Sequence, residues 1–362
     1  MINLGISIYP DKSKIQEDLS YIELAAKYNV KKVFTNLLGL GDKTKEEIKE
    51  EFSIRIDYAH KFGMEVIVDV APYIFDELDI TYTDLSFFND IGADGIRMDE
   101  NFDGNKEATM SYNEYELKLE FNASGSINQI ENIMGFKPKK GKIIASHNFY
   151  PQKYTGLGLD YFVGNSMKIK EMDINLAAFV SSNNDSAFGP WDVNEGLCTL
   201  EMHRHLPIDL QARHFVATGL IDDVLIANSY ATEAEFDSLS KILEGKVNLK
   251  INKEYKLSEA EEKILYDNDH FVRGDLSDFM RRSSMTRVKY KAETIAPQNT
   301  RALKKGDVVI LNDNYTRYKG ELHIVLKDMP NDGNKNVVGS VREEELFMLD
   351  YLYSWSKFAI LK

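Results

Sequence analysis

The chain has 362 residues, 43% of them hydrophobic and 11% aromatic, which excludes a disordered or fibrous polypeptide and leaves room for one large barrel with a smaller second domain. Its formal charge of −14 argues against nonspecific binding to nucleic acid or to an anionic membrane, because the long-range field repels phosphates. The single cysteine, Cys198, excludes an intramolecular disulfide and a cysteine-based zinc site, and reads as a small buried hydrophobe rather than a nucleophile.

The opening MINLGISIYP lacks the basic region and long apolar run of a secretory signal. No apolar stretch approaches the roughly 20 residues of a membrane span, so the reading is a soluble, cytoplasmic protein. From there, short β-branched or apolar runs alternate with longer amphipathic segments up to about residue 244. The strand candidates are LGISIY (4–9), KVFTNLL (32–38), EVIVDVAP (65–72), DGIRMDE (94–100), LKLEFNAS (117–124), KIIASHN (142–148), NLAAFVSS (175–182) and DVLIANS (223–229). Helix-like stretches separate them, including SKIQEDLSYIELAAKYN and TKEEIKEEFSIRIDYAHKFG, the latter opening on a Thr44 to Glu47 capping box and closing with Gly63. Eight such βα units predict a TIM barrel over residues 1–245. An open doubly wound sheet is the alternative, but no GxGxxG follows the first strand and there is no P-loop, so no nucleotide cofactor is expected.

After TEAEFDSLSKIL and Gly245 the pattern changes to alternating strands separated by turns: VNLKINKEY, GDVVILND and GELHIVLKDM. A smaller, mostly β domain is expected over 246–362, ending on a short helix and a closing strand. Within it, RRSSMTRVKYK (281–291) is either a solvated basic face or the local cationic pocket that a phosphate-bearing ligand would need.

Polar residues stand late in several otherwise apolar barrel strands. Lys118, Glu120 and Asn122 share one parity, and Arg97 and Asp99 oppose Ile96 and Met98. Strand ends and the loops after them build the active site of a TIM barrel, which would gather Asp69, Asp99, Glu100, Glu120, His147 and Asn148 into one pocket. The bland reading of each is a helix cap or an ion pair with Lys118 or Arg97. The stretch TLEMHRHLP (199–207) follows the seventh strand and precedes LPIDLQARHFVATG, so it belongs to a loop at the same mouth. His203 and His205 lack the further ligands and the helical spacing of HExxH, and no metal is expected. Glu201, His203 and Arg204 are instead placed at the substrate, with Arg97, His147, Asn148 and Asn228 beside them, while His205 and Pro207 shape the turn.

The blocks LGISIYP, VIVDVAP, DGIRMDE, LEFNAS, SHNFYPQKYTGLG, TLEMHRHLP with QARHFVATG, and NDNYTRYKGELHIVL resemble the bacterial 6-phospho-N-acetylmuramidases, over essentially the whole chain. The resemblance implies a TIM barrel followed by a cyclophilin-like β domain. It also implies a cytoplasmic enzyme that cleaves 6-phosphorylated N-acetylmuramic acid from N-acetylglucosamine during peptidoglycan recovery after phosphotransferase uptake.

Such cleavage needs a general acid and either a carboxylate nucleophile, a base for water, or the substrate's own acetamido oxygen. Adjacent Asp99 and Glu100 resemble the Asp-Glu pair of substrate-assisted enzymes, although neighbours on an extended strand point opposite ways unless the chain turns. Asp69 and Glu120 are the competing pair; a separation of about 5 Å favours a covalent nucleophile and one of about 6.5 to 9.5 Å favours inversion. The order of preference is Asp99, Glu120, Glu201, Asp69, Glu100, with His147 and His203 on sugar hydroxyls or the lactyl carboxylate. Arginine suits the phosphate through bidentate, charge-assisted bonds, and Arg282, Ser284, Arg287, Arg317, Tyr318 and Lys319 of the second domain are the candidates. Two other classes stay open. An aldolase or epimerase would want a lysine late in a strand, where Lys118 is early; a noncatalytic phosphosugar-binding protein would not need carboxylates on several strand ends. An isomerase activity of the second domain would rest on fold analogy alone.

Overall fold

A computed structural model describes residues 3–38, 41, 43–98, 100, 102–125 and 127–362. The chain divides into two compact units, Met1–Phe215 with Leu220–Ser240, and Val216–Gly219 with Lys241–Lys362.

The first unit runs β1 (Asn3–Ile8), α1 (Ile15–Lys27), β2 (Lys32–Leu37), α2 (Lys45–His60), β3 (Glu65–Val70), α3 (Pro72–Glu77), α4 (Ser86–Asp90), β4 (Gly95–Met98), α5 (Asn105–Met110), β5 (Lys118–Asn122), α6 (Ile127–Gly135), β6 (Ile143–Ser146), α7 (Leu159–Glu171), β7 (Asn175–Val180), α8 (Ile208–Thr218), β8 (Asp223–Ile226) and α9 (Glu233–Ser240). All eight strands are parallel, and β8 pairs back to β1 to close the barrel. Each expected strand is present but stops one to three residues sooner at its carboxyl end. Helix α2 begins as its sequence predicts: the Thr44 hydroxyl accepts from the Glu47 amide at 3.3 Å while the Glu47 carboxylate accepts from the Thr44 amide at 2.8 Å.

Side-chain parity divides the barrel interior into two halves. On β2, β7 and β8 and just past the ends of β1 and β8, Phe34, Ala177, Phe179, Leu225, Tyr9 and Ala227 form an apolar cluster. At its amino-terminal floor, Asp223 accepts from Asn3 at 2.8 Å and from Asn175 at 2.7 Å and pairs with Lys32, so a buried charge is met from three sides. The other half, on β3 to β6, carries charge up to the mouth.

The second unit contains β9 (Val247–Lys253), α10 (Glu259–Tyr266), β10 (His270–Phe271), β11 (Met280–Ser283), α11 (Thr286–Lys289), β12 (Asp307–Leu311), β13 (Leu322–Val325), β14 (Lys335–Val341) and β15 (Lys357–Leu361). They form one mostly antiparallel sheet in the order β10-β15-β9-β14-β12-β13-β11, with Leu303, Val309, Val325 and Val337 in its core. The expected strands correspond to β9, β12 and β13, and the expected terminal helix is a 3₁₀ segment, Glu343–Tyr351, before β15. Strands β10 and β11 stand at the two ends of the sheet, and the end position of β11 explains why its sequence carries two arginines rather than an apolar alternation.

In the barrel, Gly95 opens β4 where the charged half is tightest. A Cβ there would lie 2.7 Å from Ile67 Cδ1 and 3.0 Å from the Lys118 carbonyl oxygen, so β3, β4 and β5 close up only around a residue without one. Gly95→Val should therefore lower barrel stability by about 1–3 kcal/mol, the usual cost of overpacking, measured as a reduced urea midpoint.

Candidate active site

Four inward residues on four consecutive strands stand in one Cα register: Asn36 on β2, Asp69 on β3, Arg97 on β4 and Glu120 on β5. All four are buried. Arg97 ties the row together. Its Nη1 donates to Asp69 Oδ1 at 2.5 Å, its Nε donates to Ser146 Oγ at 3.0 Å, and its Nη2 donates to Asn148 Oδ1. The Arg97 Nε also lies 3.8 Å from Glu120 Oε1, an oxygen that is buried without a hydrogen-bond partner.

Burial pushes the Glu120 carboxyl above its usual range, and the nearby Lys32 and Arg97 charges only partly offset it. The row thus presents two unlike carboxyls at the mouth of one barrel: Asp69 in a charge-assisted hydrogen bond, Glu120 in a drier setting that favours its protonated form. Unlike carboxyls on a shared frame are what acid–base chemistry at a glycosidic bond requires.

Comparison with known proteins places the chain in a family. The profile of the 6-phospho-N-acetylmuramidase N-terminal domain matches residues 4–241, and that of the C-terminal domain matches residues 247–361. The chain belongs to the 6-phospho-N-acetylmuramidase family. Among solved structures, an uncharacterized B. cereus protein is 44% identical, with all of each chain covered and a TM-score of 0.92. A conserved Enterococcus faecalis protein with an unknown function is 22% identical over 99% of this chain and 96% of its own, with a TM-score of 0.72, and shares the fold. No curated protein matches the chain.

Within this 6-phospho-N-acetylmuramidase barrel, the structure brings together Asp69, Arg97, Glu120 and Asn148 from the expected set. Asp99 lies outside the described residues, and Glu100 is exposed just beyond β4. His147 follows the inward Ser146 and so turns out of the lumen, held between Ser124 Oγ at 3.3 Å and Ser166 Oγ at 2.9 Å and packed on Phe162. Burial pushes its imidazole down to about 3. His203 is fully buried as well, sharing a 2.7 Å hydrogen bond with His214, and burial holds it well below its ordinary value. Asn228 commits both ends of its amide to the Ser182 backbone, at 2.7 and 2.9 Å. Cys198 is buried, and its thiol is pushed up to about 11.

The clustering in TLEMHRHLP has its own geometry. The Arg204 guanidinium, on a side chain 2% exposed, donates to the carbonyls of Tyr150 and Gly196 at 2.9 and 3.0 Å and to both oxygens of Glu201. Glu201 in turn accepts from the backbone amides of Tyr154 and Gly156 at 2.9 and 2.8 Å. The pair staples the loop after β6 to the loop after β7, and the Arg204 hydrogen bonds carry the Glu201 carboxyl down to about 2.

In the second unit, Arg282 pairs with Asp275 at 2.8 Å, Lys319 with Asp313 at 3.2 Å and Arg287 with Glu321 at 2.5 Å, and Ser284 is buried. Glu321 is also hydrogen-bonded to the buried His323. Arg287 and Arg317 both lie over the Tyr318 ring, 5.6 and 5.9 Å from its centroid.

Asn36 and Ser146 are not among the residues expected at the site. Asn36 had a detectable signal, since it is the last even-numbered residue of KVFTNL, in phase with Lys32 and Phe34.

Because the folded Glu201 carboxyl is lowered from about 4.5 to about 2, its stabilisation is complete above the first value and lost as the pH falls through the second. Glu201→Gln should lower Tm at pH 7, and the difference from wild type should vanish in a melting series taken down to about pH 2.

Proposed function

We propose that the barrel hydrolyses the glycosidic bond of 6-phospho-N-acetylmuramyl-N-acetylglucosamine, as a cytoplasmic step of peptidoglycan recycling. Family membership supports the reaction class, and the observation that carries the site is the buried Asp69–Arg97–Glu120 row at the carboxyl ends of β3, β4 and β5. In this reading Glu120 is the proton donor to the leaving oxygen, because burial favours its protonated form. Asp69, held by Arg97, is the partner carboxylate that acts on the anomeric carbon or on the attacking water, and Arg97 and Asn148 orient the sugar. Asp99 and Glu100 remain the second pair, with the acetamido oxygen as internal nucleophile.

The phosphate is assigned to the arginines of the second unit, and Arg287 and Arg317 carry that assignment. Two guanidiniums lie over the Tyr318 ring; Arg287 is already paired with Glu321, while Arg317 makes no ion pair among the described residues and is the one open to an added dianion.

The deciding experiment offers the phosphorylated disaccharide and its unphosphorylated twin and follows the products by mass spectrometry. Cleavage of the phosphorylated form alone is expected; folded protein that cleaves neither defeats the reading. Replacing Arg287 and Arg317 together by alanine should erase the preference for phosphate.

Glu120→Gln should abolish turnover while raising stability at neutral pH. A carboxyl whose folded value is raised binds its proton more tightly in the folded state, so its ionisation costs stability as the pH climbs above about 4.5. An E120Q variant with full turnover, or one less stable at pH 7, removes Glu120 from this role.

A further inference from the structure

Asn36 is a buried amide that the fold does not use. It is 6% exposed, its Oδ1 is buried without a donor, and its Nδ2 makes no hydrogen bond among the described residues. Burying an amide unpaired costs stability, and such a group persists where a ligand supplies the missing partner.

Its direction follows from its strand. Lys32 and Phe34, the preceding even-numbered residues of β2, reach into the barrel: Lys32 bonds Asp223 on β8, and the Phe34 ring lies 5.4 Å from that of Phe179 on β7. Asn36 shares their parity at the mouth end of the strand, in Cα register with Asp69. Its neighbour along the row is therefore the carboxylate that Arg97 holds at 2.5 Å. The two side chains differ in what they offer a ligand: the carboxylate only accepts, while the amide also donates.

The geometry points to Asn36 as the residue that recognises the acetamido group of the substrate, its Nδ2 donating to the acetamido carbonyl oxygen beside Asp69. This inference rests on the reading of the barrel as a site for an N-acetylmuramyl sugar. Asparagine suits the task because it is neutral and places a donor next to a carboxylate without adding a charge. Rotation about χ2, which is broad and roughly two-fold for this side chain, turns the donor to the lumen at little cost.

The test measures binding of N-acetylmuramic acid 6-phosphate and of muramic acid 6-phosphate, its free-amine counterpart, by calorimetry on the full chain. Wild type should prefer the acetylated sugar. Asn36→Leu, similar in volume and without polar atoms, should lose about ten- to hundredfold in affinity for it, bringing the ratio of the two affinities close to one. The same variant should melt at or above the wild-type temperature, because it removes an unpaired buried amide. An asparagine that served only the fold would instead lower Tm and leave the sugar preference intact. Asn36→Ser, a smaller change, should show the same loss of preference if the leucine variant folds poorly.

Wild type that binds both sugars equally, or neither, overturns the assignment, as does either variant that keeps the preference. The disaccharide assay judges the other reading separately. Hydrolysis without acetyl preference keeps the muramidase and removes Asn36, whereas acetyl preference lost in Asn36→Leu without hydrolysis by wild type keeps Asn36 and removes the muramidase.

Discussion

The mouth of the barrel is organised by one buried guanidinium. Arg97 sits on β4 with a side chain only 4% exposed, and a charge removed from water that far must find its partners inside the protein. It finds them on β3 in Asp69, on β6 in Ser146 and just past β6 in Asn148, with Glu120 of β5 at 3.8 Å. Three strands and a loop are thereby indexed to one rigid planar fork. Position and orientation of the two carboxyls depend on that fork staying where β4 puts it, and the close approach around Gly95 helps to fix where that is.

The charged half of the barrel is tolerable because the other half is not charged. Tyr9, Phe34, Phe179 and Leu225 fill their side of the interior with rings and branched chains, and this keeps water out and the local dielectric low. The same dryness raises the Glu120 carboxyl and leaves Oε1 without a donor. An evenly polar lumen would solvate the Glu120 carboxylate and remove the cause of that shift.

Much of the fold was legible because period and parity are local properties. Eight apolar runs and their intervening amphipathic segments located the barrel strands, and the Thr44 to Glu47 spacing located a helix start. Strand ends were overread, since an apolar residue such as Ala71 or Ala123 continues the pattern after the chain has left the ladder. In the second unit, Met280–Ser283 hid its strand character behind two arginines because an edge strand can carry charge. At the site, the parity of Arg97 and Glu120 was visible and their meeting followed from it. What composition could not separate was function from scaffolding: Glu201 and Arg204 are as polar and as clustered as a catalytic pair, yet each commits its groups to backbone amides and carbonyls of the loops they join. That distinction depends on chain segments 45 to 54 residues apart in sequence, which no local pattern encodes.

Histidine is the side chain that ordinarily supplies acid–base function near neutrality, and here burial withdraws it. Five of the seven histidines are pushed below their ordinary value: His147 to about 3, His214 to about 4, and His203, His270 and His323 in the same direction. His147, next to the inward Ser146, is the one that sequence places nearest the mouth, and it is neutral and committed to two serine hydroxyls. The two carboxyls that meet at the Arg97 guanidinium differ in how they are held. Of the two carboxyls in that row, Asp69 is bound to the guanidinium at hydrogen-bond distance while the buried Glu120 stands off at 3.8 Å. Burial, with only partial compensation from Lys32 and Arg97, is what raises the Glu120 carboxyl.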